Sequence, residues 1–132
     1  MAHQLSINAA LAEAMLITGS FKTLMDTGTL TIYNGTMPAN ADAALSGNSV
    51  LVAMTPLSFA ASAPSGVISK TGTWSGTVVL GGTASFYRFV KSTYTIQGTV
   101  STAGSDLDLT STVLTLSATQ PINAFSISLP LQ

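Results

Sequence analysis

Charged side chains are scarce in this chain of 132 residues. Lys, Arg, Asp and Glu together make up 7% of it, against about 25% in an ordinary soluble domain. Four basic and five acidic residues leave a net charge of -1, which provides neither the basic footprint of a nucleic-acid binder nor an acidic tail. The sequence therefore argues against nucleic acid as a partner.

Cysteine is absent, which excludes disulfides, thiolate nucleophiles and zinc-thiolate sites. The single histidine, His3, lies near the start of the chain, where it is poorly placed to complete a Ser-His-acid triad. Glycine-rich stretches do not match a phosphate-binding loop. We expect no catalytic residues, no cofactor, no metal and no small-molecule substrate, and hence no enzymatic activity.

Long apolar runs are also missing, since no stretch reaches the roughly 18 residues of a membrane-spanning helix. The run Ala9 to Ile17 has no Lys or Arg before it and is interrupted by Glu13, unlike a signal peptide. We therefore expect neither a membrane partner nor secretion through a signal peptide.

Hydroxyl groups take the place of charge on the polar positions. The chain has 19 Thr and 17 Ser, and 46% of its residues are hydrophobic. A monomer with so few charges has little electrostatic protection against self-association. Two interpretations stay open: a component of a large assembly, or a small protein kept soluble by neutral polar side chains.

The first residues of the chain predict helices. Asn8 is a suitable N-cap for a helix over Ala9 to Ile17, and Thr18-Gly19-Ser20 ends it before a second short turn or helix over Phe21 to Asp26. The first helix is apolar most of the way round, so it is buried on several sides or docks against another subunit. The candidate interface residues are Leu11, Met15, Leu16, Ile17 and, from the strands, Trp74.

Two-residue alternation begins at Thr29 and predicts short strands for the rest of the chain. The first strand covers Thr29 to Tyr33; the second covers Ser49 to Thr55 and either ends at Pro56 or lies at a sheet edge. Further strands are expected at Leu57 to Ala61 and at Val67 to Lys70. Gly81-Gly82 predicts a tight hairpin turn between strands at Trp74 to Leu80 and Thr83 to Lys91.

Phe86 to Val90 carries bulk on both faces, which favours a central strand with Arg88 at a rim or paired with a carboxylate. Tyr94 to Val100 reads as a half-buried strand. The apolar parity changes between Leu107/Leu109 and Leu114/Leu116, which predicts a bulge, bend or break near Thr110 to Val113. The last strand places four apolar residues on one face: Phe125, Ile127, Leu129 and Leu131.

About eight or nine short strands, with turns every 8 to 12 residues or so, are typical of an antiparallel sandwich. We expect a mainly β fold, an antiparallel β-sandwich or jelly-roll-like domain with a short N-terminal helix. Residues 1-28 form an N-terminal helical arm and residues 29-132 the β-sandwich, within a single domain.

Two side-chain groups have alternative interpretations. Asp106 and Asp108 leave a strand on the same side, as a calcium rim or, more simply, as a solvated strand entry. Trp74 and the tyrosines Tyr33, Tyr87 and Tyr94 could provide an aromatic platform for a sugar, although core packing is the commoner fate of such residues.

Three segments of the chain are distinctive: an "L-x-I-Y-x-G-T-x-P-A-N-A-D" segment at residues 30–42, a "YRF" strand at residues 87–89, and a "QG-T-V" segment at residues 97–100 followed by a "G-x-D-L" turn at residues 104–107. Together they resemble segments of a family of small structural proteins of tailed bacteriophages. The resemblance covers most of residues 5–130, and its motifs concern the framework of the fold.

This resemblance implies a virion structural protein, first of all a capsid decoration or cement protein on the capsid surface, made in the cytoplasm of the bacterial host. Its implied partners are the major capsid protein and copies of itself, as a dimer or trimer. A tail or head-tail connector component is an alternative. A carbohydrate-binding module for host attachment, using Trp74, is another.

Overall fold

The computed structural model describes residues 6–103 and 105–128. It confirms the expected class: the chain is mainly β, with antiparallel sheets in a sandwich-like arrangement and a short N-terminal helix. Four residues named in the sequence predictions lie outside the described residues: His3, Gly104, Leu129 and Leu131.

Both predicted helices are confirmed, as α1 (Ala9–Ile17) and α2 (Phe21–Met25). The Asn8 side chain caps α1 by accepting a hydrogen bond from Leu11 N at 3.0 Å, and Ser20 caps α2 through Thr23 N. Capping satisfies backbone donors that a helix start leaves unpaired. Both short helices therefore begin at a residue whose side chain caps the helix, Asn8 for α1 and Ser20 for α2.

Twelve strands lie within the described residues, several of them only two residues long. The first six are β1 (Ser6–Ile7), β2 (Gly28–Tyr33), β3 (Val50–Phe59), β4 (Val67–Thr71), β5 (Trp74–Thr77) and β6 (Gly82–Thr83). The other six are β7 (Phe86–Lys91), β8 (Tyr94–Ser101), β9 (Leu107–Asp108), β10 (Val113–Leu114), β11 (Thr119–Ile122) and β12 (Ser126–Ser128).

One curled sheet contains eight of these strands. Its order is β1-β8-β7-β2-β3-β4-β12, and β9 adds to β8 as a parallel neighbour. Two small antiparallel pairs, β10 with β6 and β11 with β5, complete the strands. The central position predicted for β7 is confirmed, because β7 lies between β2 and β8.

The core lies against the inner face of this sheet. Strand register aligns two rows of inward residues, Ile96-Phe89-Leu30-Met54 and Gly98-Tyr87-Ile32-Val52. Aromatic rings pack over them: Trp74 and Phe125 have centroids 5.4 Å apart, and each lies within 6.5 Å of Phe89. Alternation in β2 and β8 therefore marks the face that points into this core correctly.

The outer face of β7 and β8 is covered by the connection between β2 and β3, here called the strap (residues 34–49). Arg88 Nη2 donates to Ala43 O at 2.6 Å and to Asn40 O at 3.3 Å, while Arg88 Nε donates to Gln97 Oε1 at 2.9 Å. Gln97 Nε2 donates to Pro38 O at 2.9 Å. Arg88 therefore pairs with carbonyl oxygens, so the predicted carboxylate partner is wrong.

Two strand predictions are corrected at proline and glycine. β3 continues through Pro56 to Phe59, because a register shift against β2 between Gly28 and Leu30 places Pro56 at an irregularity of the ladder. Gly81-Gly82 does not form a hairpin: β5 pairs with β11 and β6 with β10. Neither glycine has the positive φ that the tight turn requires.

The predicted break near Thr110 to Val113 is confirmed, since β9 ends at Asp108 and β10 begins at Val113. Leu107 and Leu109 before the break are buried, and so is Leu114 after it. Leu116, which shares the parity of Leu114, is exposed. The parity change therefore located the interruption but not every buried side chain beyond it.

Candidate contact surfaces

Two of the five predicted interface residues are in the core. Leu11 is 0% exposed and Trp74 is 1% exposed, and Trp74 Nε1 donates to Ser58 O at 3.2 Å. The prediction that these two lie on a contact surface is wrong, because the rest of the chain already covers them. The same burial removes Trp74 and Tyr87 as a platform for a sugar ring.

The end of α1 presents the most exposed large apolar side chains among the described residues. Leu16 is 87% exposed and Ile17 is 86% exposed; we call these two residues the helical patch. α1 turns Leu11 and Ala14 into the core, whereas Leu16 and Ile17 in its last turn are in solvent. A soluble protein seldom leaves such side chains side by side unless they contact something.

An apolar groove of about 440 Å³ lies beside the helical patch. Met15 and Phe21 from the helices line it, together with Ala60 and Ala61 after β3, Ile68 from β4 and Ile127 from β12. Met15 is therefore at the groove, one residue before the helical patch. The volume of the groove lies within the range of sites that bind small molecules.

A charged corner holds α2 against the end of β3. Lys22 Nζ donates to Asp26 Oδ2 at 3.1 Å and to Phe59 O at 2.8 Å, while Asp26 Oδ1 accepts from Phe59 N at 2.8 Å. Partial burial acts to raise the pKa of Asp26, but the hydrogen bonds from Phe59 and Lys22 and the charges of Lys22 and Lys91 outweigh it and lower that pKa. The ionised pair thus satisfies both backbone groups of Phe59.

A second exposed apolar group, here called the strand patch, occurs where β6 and β10 pair. Its members are between 45% and 66% exposed: Val79, Leu80, Val113 and Leu116. Hydrogen bonds from Val78 N to Ala118 O and from Ser117 N to Val78 O hold the two segments together. Sequence reasoning missed this group because it assigned residues 79–82 to a strand end and hairpin.

Asp106 and Asp108 stabilise the turn between β8 and β9. Asp106 Oδ2 accepts from Thr99 N at 3.0 Å and from Thr99 Oγ1 at 3.1 Å. Asp108 Oδ1 accepts from Ser105 N at 3.0 Å and from its hydroxyl at 2.8 Å. In residues 6–103 and 105–128, no three or more His, Cys, Asp or Glu side chains group to hold a metal ion.

The outward face of β2 and β3 carries small neutral side chains. Thr29 and Thr31 are half-buried, and Ala53 and Thr55 are exposed.

Within the described part of the chain, no helix has the length and apolar character needed to cross a membrane. Comparison of the chain with protein-family models, with curated proteins and with solved structures found no match.

Proposed function

We propose that this chain is a non-enzymatic structural protein of a bacteriophage particle, a capsid decoration (cement) protein that binds the major capsid lattice and further copies of itself. The observation that supports the proposal is the helical patch, where Leu16 and Ile17 are almost fully exposed. Exposed apolar groups of this kind are removed from water by a protein partner. The bacteriophage setting follows from the resemblance of the three framework segments.

The surface chemistry suits a permanent contact made by many copies. Thr29, Thr31 and Ala53 on the outward face of the sheet have short side chains, so docking costs little side-chain entropy. A standard contact buries about 800 Å² on each partner. Each copy then contributes a modest binding free energy, and a full lattice of copies reinforces the shell.

Binding to expanded, undecorated capsids tests the proposal directly. The double variant Leu16→Ser/Ile17→Ser removes the helical patch without touching the core, and we expect it to bind at least tenfold more weakly than the unmodified chain. Glu13→Gln, an exposed change on the same helix, is the matched control and should bind normally. If the unmodified chain itself fails to bind such capsids, a cement role is contradicted.

Copy number separates the capsid from a tail or head-tail connector. Decoration of a lattice requires hundreds of copies per particle, whereas a connector ring requires a few or some dozens. Quantitative mass spectrometry of purified particles gives this number. A count within the range of a ring would replace the capsid role with a connector role.

A further inference from the structure

The groove beside α2 has the composition of a site for an amphiphilic small molecule. Met15, Phe21, Ile68 and Ile127 give it apolar walls, and its volume is about 440 Å³. Small-molecule sites are mostly apolar clefts of about 300–1,000 Å³ with few, well-placed polar groups. An alkyl chain suits such walls because it can be buried there without leaving a polar group unpaired.

The charged side chain that lines the groove is a cation. Lys22 lines it, and among the described residues no carboxylate does. The ammonium has three N–H donors, of which Asp26 Oδ2 and Phe59 O accept two, so one donor is left for a ligand. Both acceptors also fix the position of Lys22 Nζ at the groove wall.

The wider corner keeps an excess of positive charge. Lys91 Nζ donates to Thr27 Oγ1 at 2.7 Å, and its charge also acts on Asp26. Two lysines and one aspartate give this corner a net charge of +1. The groove is therefore apolar along its length and electropositive near Lys22, which complements an apolar chain that ends in an anion.

We propose that the groove binds a linear alkyl carboxylate, with the hydrocarbon chain against Met15, Phe21 and Ile127 and the carboxylate beside Lys22 Nζ. This inference is independent of the proposed capsid role, because it concerns a ligand of one copy of the chain. The groove is partly open to solvent, so the ligand can enter from water.

Titration with sodium octanoate, followed by the methyl chemical shifts of Met15, Ile68 and Ile127, tests the proposal. We expect saturable shifts at these methyl groups. 1-Octanol has the same chain without the charge, and octylammonium reverses the charge; both should bind at least tenfold more weakly. Equal binding of the three ligands, or shifts confined to other residues, would overturn the proposal.

A variant that fills the groove provides the second readout. Ala61→Trp places a large side chain at an exposed position of the groove wall, so the fold should tolerate it while octanoate affinity falls at least tenfold. Ala39→Trp, exposed on the strap, is the matched control and should bind octanoate normally. Unchanged octanoate binding by Ala61→Trp would place the ligand elsewhere and contradict the proposal.

Discussion

The strap and the end of α1 differ in which kind of side chain is buried. Under the strap, Gln97 is 1% exposed, yet its amide is hydrogen-bonded on both sides, to Arg88 and to Pro38 O. At the end of α1, Leu16 and Ile17 are left in solvent. Polar groups are thus buried and satisfied at one place while apolar groups are exposed at the other.

This contrast shows where the few charges act. Arg88 holds the strap, and Lys22 with Asp26 holds α2 against β3, so these side chains stabilise the chain itself. Buried polar groups need such partners, because an unsatisfied one costs about 1–3 kcal/mol. Little charge remains for the surface. The last turn of α1, which carries the helical patch, has no charged residue.

The largest effect is expected within α1. Leu11→Ala should lower the free energy of unfolding by about 2–5 kcal/mol, because it leaves a cavity in the core. Leu16→Ala, on the same helix, should change it by less than about 0.5 kcal/mol, because that side chain is already in water. Urea unfolding of both variants measures the difference; equal losses would show that Leu16 is covered in solution.

Removing the cation under the strap should have the next largest effect. Arg88→Met deletes the donors to Ala43 O, Asn40 O and Gln97 Oε1, and we expect a loss of about 2–3 kcal/mol, as for hydrogen bonds to charged groups. Lys70→Met is the control, since the bond that its amine makes within the described residues goes to Gly72 O, two positions along the chain. Similar urea midpoints for the two variants would contradict a stabilising role for the hydrogen bonds between Arg88 and the strap.

Acid should weaken the corner at α2. The pKa of Asp26 is lower in the folded chain than its unfolded value of about 3.9, so its contribution to stability is present above that value and is lost as pH falls through the folded pKa. Urea midpoints of Asp26→Asn and the unmodified chain should therefore differ at pH 7, and the difference should shrink as the pH falls below about 3.9.

Glu13→Gln serves as the control for the acid series, because its exposed side chain lies outside the corner. Its midpoint should follow that of the unmodified chain at every pH. A gap between Asp26→Asn and the unmodified chain that stays constant down to pH 2 would show that the carboxylate charge is not what stabilises the corner.

The smallest effect is expected next to Arg88, on the inner side of β7. Within the described residues, the buried Tyr87 hydroxyl has no hydrogen-bond partner, and burial together with the Asp106 charge raises the pKa of Tyr87. Tyr87→Phe removes this unsatisfied group, so the chain should keep its stability or gain up to about 1 kcal/mol. A clear loss in thermal unfolding would reveal a partner for the hydroxyl.

Local patterns predicted the local structure well. Asn8 and the apolar run after it fixed both ends of α1, and alternation identified the inward residues of β2 and β8. Both signals depend on neighbours in the chain, through capping and through the alternating direction of strand side chains. The parity change after Leu109 located the break for the same reason.

Such local patterns did not predict contacts between segments that are distant in the chain. Burial of Gln97 depends on the strap, which reaches it from residues about 59 positions earlier, and burial of Trp74 depends on Phe125 and Phe59. Of the five candidate interface residues, Leu16 and Ile17 are exposed and Met15 lines the groove, whereas Leu11 and Trp74 are buried. Periodicity marks an apolar face without showing which segment covers it.

The cap of α1 also has a consequence for the order of folding. Asn8 bonds to Leu11 N, but its amide also donates to Thr93 O, and its oxygen accepts from Thr95 N, 85 and 87 residues further along the chain. Contacts of such long sequence separation slow folding, because a large loop must close first. During synthesis, the bonds of Asn8 to Thr93 and Thr95 can therefore form only after β8 has been made, so the cap of the first helix is tied to a strand more than 80 residues away.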